Sequence, residues 1–184
     1  MATTYDRINI ALRRLKRRVS WDLTELAESI REGEPRPEAF RIRGDGTSLD
    51  DYMKVSSIRR LLTLLVSLEL AESLPENKIR INNAGSNCLQ SDDHFANQVK
   101  ASVTTLLHKG GIELEDLRNA IKQTRLPDMP DADTIFVKVV DNAQKSGKEV
   151  TIDADRFRTM MYLLAIAKGV DRVVRVYYRF DDHV

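Results

Sequence analysis

The sequence predicts a mostly helical α+β fold in which one small unit is used twice. Apolar residues recur at helical spacing in several segments, and short stretches typical of strands follow the last helix of each unit. The third observation is an internal sequence similarity, which we call the internal echo. The most apolar run, residues 55–71, has the same pattern as residues 155–169, and the alignment places Ile58 on Phe157. We interpret the echo as a duplication. The alternative is that any two amphipathic helices fall into register, since they share one period.

The first unit is predicted to contain three helices, an exposed strand and a hairpin, with bounds set by apolar spacing and candidate caps. The predicted elements are a helix over residues 5–18, a second over residues 23–32 capped by Ser20 or Asp22 and ended by Gly33, a short strand over residues 40–43, a third helix from near Ser48 or Asp50 to about Ser73, and a strand over residues 78–81. Trp21, at the start of the second helix, is expected in the core.

The second unit repeats this order, because one constant shift places Val99 on Ile8, Val103 on Leu12 and Leu106 on Leu15. Its predicted elements are helices over residues 94–109, 112–122 and 155–168, the last capped by Asp153, a strand over residues 149–152 and a hairpin over residues 172–180. Residues 133–146 are an addition. We predict a helix there, although the β-branched residues also permit a strand over residues 134–140.

Length and charge limit the organisation and the partners of the chain. Its 184 residues suffice for one medium domain or two small ones without a disulfide or a metal. We expect a first unit over residues 1–84, a polar linker over residues 85–93 and a second unit over residues 94–184. The formal net charge is +1, whereas a domain devoted to nucleic-acid backbones usually has a basic excess. Any nucleic-acid surface is therefore expected to be a local patch.

Location and chemistry are constrained mainly by what the sequence lacks. Cys88 is the only cysteine, which excludes an intrachain disulfide and favours a reducing, cytoplasmic location. The longest apolar run falls short of the roughly 18 residues that a membrane span needs, so no membrane partner is expected. The three histidines are far apart, no glycine-rich phosphate loop is present, and paired aspartates such as Asp50 and Asp51 fit helix caps. We therefore expect no catalytic residues, no metal and no cofactor.

Helix, short strand, second helix, connection, third helix and β-hairpin is the order of a winged helix, whose hairpin forms the wing. The chain therefore resembles tandem winged-helix proteins. The wings would lie around residues 74–78 and 169–172. The resemblance covers nearly the whole chain but is architectural and includes no diagnostic motif, and the added segment at residues 133–146 departs from a minimal winged helix. It implies a DNA-binding regulator, a replication initiator or an accessory subunit of a chromosome-organising complex.

Ten arginines are candidates for contacting nucleic acid. They are Arg14, Arg17 and Arg18 of the basic run, Arg59 and Arg60 of the third helix, Arg156 and Arg158 of the last helix, and Arg172, Arg175 and Arg179 of the C-terminal hairpin. Arg59 and Arg60 are the most specific candidates for DNA contact, since a helix-turn-helix module of this kind lays its third helix in the major groove. The basic run equally fits a solvated helix end, and the hairpin arginines equally fit a solvent face.

Two hypotheses about function follow. The first is a non-enzymatic nucleic-acid-binding protein, with DNA favoured, because winged helices often meet nucleic acid. The second is a structural subunit whose winged helices bind a protein partner or a second copy of the chain. The near-neutral charge and the leucine-rich third helix favour the second hypothesis.

Overall fold

The computed structural model describes residues 4–124 and 131–167, and within these ranges the chain is mostly helical with one small sheet. The helices are α1 (Thr4–Leu15), α2 (Leu23–Glu32), α3 (Val55–Ser67), α4 (Asn83–Cys88), α5 (Asp92–Lys109), α6 (Leu114–Thr124), α7 (Ala132–Lys145) and α8 (Ala154–Ile166). The strands are β1 (Trp21–Asp22), β2 (Ala71–Leu74) and β3 (Lys78–Ile81), and single 3-10 turns cover Glu38–Phe40 and Leu49–Asp51. The predicted α+β class with a helical majority is confirmed.

The sheet is antiparallel, with β3 between β1 and β2. Residues 71–74 pair with residues 78–81 as a hairpin, so the predicted hairpin around residues 74–78 is confirmed. On the other side of β3, Trp21 pairs with Ile79, and both side chains are buried. Trp21 therefore belongs to the core, as predicted, and ties the start of α2 to the hairpin.

Helix α2 begins at an N-cap supplied by Asp22. The carboxylate of Asp22 accepts hydrogen bonds from the backbone N–H groups of Thr24, at 2.8 Å, and Glu25, at 3.0 Å. The hydrogen bonds from Glu25 and Thr24 hold the pKa of Asp22 below its usual range. Of the two predicted caps, Ser20 and Asp22, the fold uses Asp22.

We expect Asp22→Ala to lower stability at neutral pH and to weaken the response to acid. Because the folded-state pKa of Asp22 is depressed, its stabilisation is fully present above the unfolded pKa of about 3.9 and is lost as the pH falls through the lower folded value. Urea unfolding across this acid range checks the expectation. Glu28→Gln, an exposed change in the same helix, is the control, and an equal effect of both variants would contradict the capping role.

The connection between α2 and α3 differs from the prediction. Residues 40–43 form no strand; the chain makes a 3-10 turn followed by one isolated bridge between Arg41 and Tyr52. A strand needs a ladder of pairs, and the neighbouring residues are held instead in a second 3-10 turn capped by Ser48. This second turn uses the residues that were predicted to open the third helix. Helix α3 therefore begins later, at Val55.

Helix α3 also ends earlier than predicted, at Ser67 rather than at about Ser73. Glu69 adopts a left-handed backbone conformation with a φ of 57°, which cannot continue a right-handed helix. The N–H of Leu70 then donates to the carbonyl of Leu65 at 2.9 Å and closes the helix end. Residues 71–74 pair with β3, so strand pairing overrides the helical period that the sequence shows there.

The second half confirms one prediction and corrects another. The segment at residues 133–146 is helical, as predicted, and α7 begins at an N-cap from Asp131. The predicted strand over residues 149–152 is wrong. The backbone of this segment donates one hydrogen bond, from Thr151 to the carbonyl of Gly110 at 3.1 Å, and no strand of the described residues pairs with it.

The polar segment between the halves contains helix α4, which packs against both sides. Gly85 is buried so closely against the carbonyl oxygen of Leu70 that a Cβ atom would lie 2.0 Å from it. Cys88, at the end of α4, is also buried, and burial raises the pKa of its thiol to about 11. The thiol is therefore protonated at neutral pH and unreactive.

The two halves share one continuous hydrophobic core that runs from Ile8 to Ala167. Tyr5 of α1 reaches α5, where its ring meets the ring of Phe95 edge-on at a centroid distance of 4.5 Å. Its hydroxyl donates a hydrogen bond to the carboxylate of Asp92. This hydrogen bond is the main reason that the pKa of Tyr5 is raised to about 12.

We expect Tyr5→Phe to destabilise the chain by about 1 kcal/mol, because the ring contact stays while one hydrogen bond is lost. In the parent, the raised pKa means that Tyr5 stabilises the fold fully below its unfolded pKa of about 10, and this contribution disappears as the pH rises toward 12. Urea titrations across this alkaline range check both effects. If the stability of Tyr5→Phe depended on alkaline pH in the same way as that of the parent, the hydrogen bond between Tyr5 and Asp92 would be contradicted.

Candidate nucleic-acid interface

One face of α3 is polar and exposed along its N-terminal half. Ser56, Arg59, Arg60 and Thr63 recur at the spacing of one helical face, and all four are exposed. We call these four residues the α3 stripe. The opposite face buries its apolar residues, of which Leu62 is fully covered. The core-facing leucines therefore fix the orientation in which the stripe meets solvent.

The two arginines of the α3 stripe have no ion-pair partner among the described residues. Together with Leu23 of α2, Arg59 and Arg60 line a shallow depression between α3 and the first turn of α2. Arg59 also lies near Asp22, whose pKa is lowered first by the backbone hydrogen bonds from Glu25 and Thr24 and to a smaller extent by the charge of Arg59. Both guanidinium groups are free to bind an external anion.

Further cations surround the same turn of α2. The guanidinium of Arg18 lies 3.9 Å from the centre of the Trp21 ring and 2.5 Å from a carboxylate oxygen of Glu25. From the hairpin turn, Lys78 forms an ion pair with Glu76 at 2.6 Å. These two cations already have acidic partners, so they add less positive potential than Arg59 and Arg60.

The other two candidates of the basic run, Arg14 and Arg17, differ in exposure. Arg14 is half-buried, and its guanidinium donates to the hydroxyl of Ser29 at 3.4 Å. Burial, and secondarily the charge of Arg17, lowers the pKa of Arg14. Arg17 is exposed and forms no ion pair with a described carboxylate. Arg14 therefore packs α1 against α2, whereas Arg17 is available to an anion.

The arginines of the last helix do not join the α3 stripe. Arg158 lies 2.6 Å from Asp133 and 3.0 Å from Asp155, and the hydrogen bond to Asp133 chiefly raises its pKa. It therefore links α7 to α8. Arg156 is exposed and lines a different depression, at the C-terminal end of α3. The predicted candidates Arg172, Arg175 and Arg179 lie outside the described residues.

Sequence reasoning missed the two hydroxyl residues of the stripe, Ser56 and Thr63. The helical period was sufficient to find them, because they lie three or four positions from Arg59 and Arg60.

In the described part of the chain, no cluster of three acidic, histidine or cysteine side chains is placed to hold a metal ion. None of the helices of residues 4–124 and 131–167 has both the length and the apolar character to cross a bilayer.

Comparisons of the chain with protein-family models, curated proteins and solved structures found no match.

Proposed function

We propose that the chain is a non-enzymatic DNA-binding protein that contacts duplex DNA through a winged helix formed by residues 4–81. The order α1, β1, α2, α3, β2, β3 supports this fold, and so does a sheet in which β3 lies between β1 and β2. In such a module α3 enters the major groove and the hairpin lies beside the backbone. A second winged helix, built from α5, α6 and α8, is proposed from the internal echo; its hairpin would fall outside the described residues.

The observation that carries the proposal is the α3 stripe. It presents two unpaired arginines and two hydroxyl residues, and it contains no carboxylate. Arginine suits phosphate and guanine, and the Ser56 hydroxyl can donate to phosphate or to a base edge, whereas the hydroxyl of Thr63 donates to the carbonyl of Arg59 at 3.1 Å. Outside the stripe, Arg17 is a further exposed cation without an ion-pair partner among the described residues. Acidic residues elsewhere in the chain offset these arginines, so a chain with a net charge of +1 can still present a local basic patch.

The alternative function, a subunit that binds protein through its leucine-rich helix, has less surface to use. Leu62 and Leu65 of α3 are fully buried, and Leu61 and Leu64 are partly buried against the core. Light scattering discriminates the two functions. A stable dimer or hetero-complex without affinity for DNA would favour the alternative.

The test of the proposal is a mobility-shift titration of duplex DNA and of RNA over a salt series. We expect the affinity for duplex DNA to fall steeply with added salt, because phosphate contacts release counterions. The double variant Arg59→Ala/Arg60→Ala should bind about tenfold more weakly and should reduce the slope of log affinity against log salt by about 2.

Arg118→Ala/Lys122→Ala on α6 is the matched control, because it removes the same charge from exposed positions of another helix. This control should bind like the parent at each salt concentration. Absence of binding at low salt, a flat salt response or equal losses for the two double variants would refute the proposal. Preferential binding of RNA would refute the assignment to duplex DNA.

A further inference from the structure

The junction of the two halves contains a half-open pocket of about 430 Å³ between α3, α5 and α8. This volume lies within the range of about 300–1,000 Å³ that is typical of small-molecule sites. The walls are mainly apolar. They include Leu64, Leu106, Ile152, Met160 and Leu163.

The part of the pocket wall that Gly110, Thr151 and Ile152 form is closely packed. Gly110 is buried at the end of α5, and a Cβ atom on it would lie 2.1 Å from the side chain of Ile152. The N–H of Thr151 donates to the carbonyl of Gly110 at 3.1 Å, which holds this segment against the end of α5. This part of the wall is therefore held in place without a ligand.

The charged side chains that line the pocket leave one cation unpaired. Lys109 and Arg156 both line it, and Lys109 lies 3.0 Å from Glu69. Asp155 also lines the pocket, but its carboxylate lies 3.0 Å from Arg158. Arg156 has no ion-pair partner among the described residues. An unneutralised guanidinium therefore lies beside an apolar wall.

We propose that this pocket binds a small amphipathic carboxylate, with its alkyl chain against Leu64, Leu106 and Met160 and its carboxylate on Arg156. The apolar wall favours an alkyl body because the contact removes hydrocarbon from water. The guanidinium favours a carboxylate because the two planar groups form paired, charge-assisted hydrogen bonds. A neutral amphiphile lacks the second interaction, and a cationic one is repelled by Arg156.

The test uses sodium octanoate and 1-octanol as probes of equal chain length, followed by NMR of methionine and leucine methyl groups in the full chain. Octanoate should shift the methyl signals of Met160, Leu64 and Leu106, and it should bind about tenfold more tightly than octanol. Arg156→Gln should weaken octanoate binding about tenfold and leave octanol binding unchanged.

Arg13→Gln is the matched control, since Arg13 is an exposed cation of α1 that does not line the pocket. Thermal unfolding verifies that both variants remain folded. Leu106→Trp, which fills the cavity, should abolish binding of both probes. Equal affinity for octanoate and octanol, methyl shifts outside the pocket or equal effects of the two arginine variants would overturn the proposal. It would also fail if light scattering showed a dimer that leaves octanoate unable to bind.

Discussion

Replacing Phe157 with alanine is expected to lower the free energy of unfolding by about 3–5 kcal/mol. The side chain is fully buried in α8, and its ring centre lies 5.1 Å from that of Phe136 in α7. Truncation removes a large apolar surface from the core and leaves a cavity that the surrounding helices cannot fill completely. Urea unfolding followed by circular dichroism should show a lower midpoint with an unchanged dependence on urea.

Two further variants separate burial from aromatic pairing. Phe157→Leu retains most of the buried volume, so it should lose less than half as much stability as Phe157→Ala. Phe136→Ala removes the pairing ring, but Phe136 is only partly buried, so its loss should also be smaller. If Phe136→Ala lowered the free energy of unfolding as much as Phe157→Ala, the larger effect expected from the full burial of Phe157 would be contradicted.

Gly111→Ala is the second substitution with a large expected effect. Gly111 has a φ of 83°, and a Cβ atom on it would lie 2.1 Å from the backbone oxygen of Glu149. Left-handed strain costs about 1–2 kcal/mol and a forced backbone shift about 1–3 kcal/mol, which together give about 2–5 kcal/mol. The loss should appear in urea unfolding as a lower midpoint.

Gly147→Ala is the matched control for Gly111→Ala. Gly147 also has a positive φ, of 68°, but no atom lies within 4 Å of the position of its Cβ. Its substitution should therefore cost only the conformational strain of about 1–2 kcal/mol. Equal losses at the two glycines would show that Glu149 and Val150 do not pack against Gly111.

The candidate interface was partly predictable because its arginines follow the helical period. Arg59 and Arg60 fall opposite the buried leucines of α3, so their exposure follows from spacing alone. Arg158 satisfies the same pattern but is neutralised by Asp133, a residue 25 positions away on another helix. The sequence pattern carries no information on which cations meet such distant carboxylates.

The internal echo illustrates the same limit in the core. Ile58 and its counterpart Phe157 are both fully buried, as the alignment predicts. The alignment also matches Leu15 with Leu106, yet Leu107 is the fully buried leucine and Leu106 faces the pocket. Helical period places a stripe only to within a neighbouring residue, and the packing of α5 on α8 selects the one that enters the core.

Local sequence was sufficient to predict most of the helices, the cap at Asp153, and the exposed positions of Arg59 and Arg60. These features depend on interactions within about one helical turn, which the order of residues specifies directly. Tertiary contacts set the end of α3, kept residues 149–152 from forming a strand, and left some arginines without an ion-pair partner. Strand pairing, burial and ion pairs join residues that are distant in the chain, so only the folded arrangement shows which cations of the α3 stripe stay unpaired and which residues of α3, α5 and α8 form the pocket.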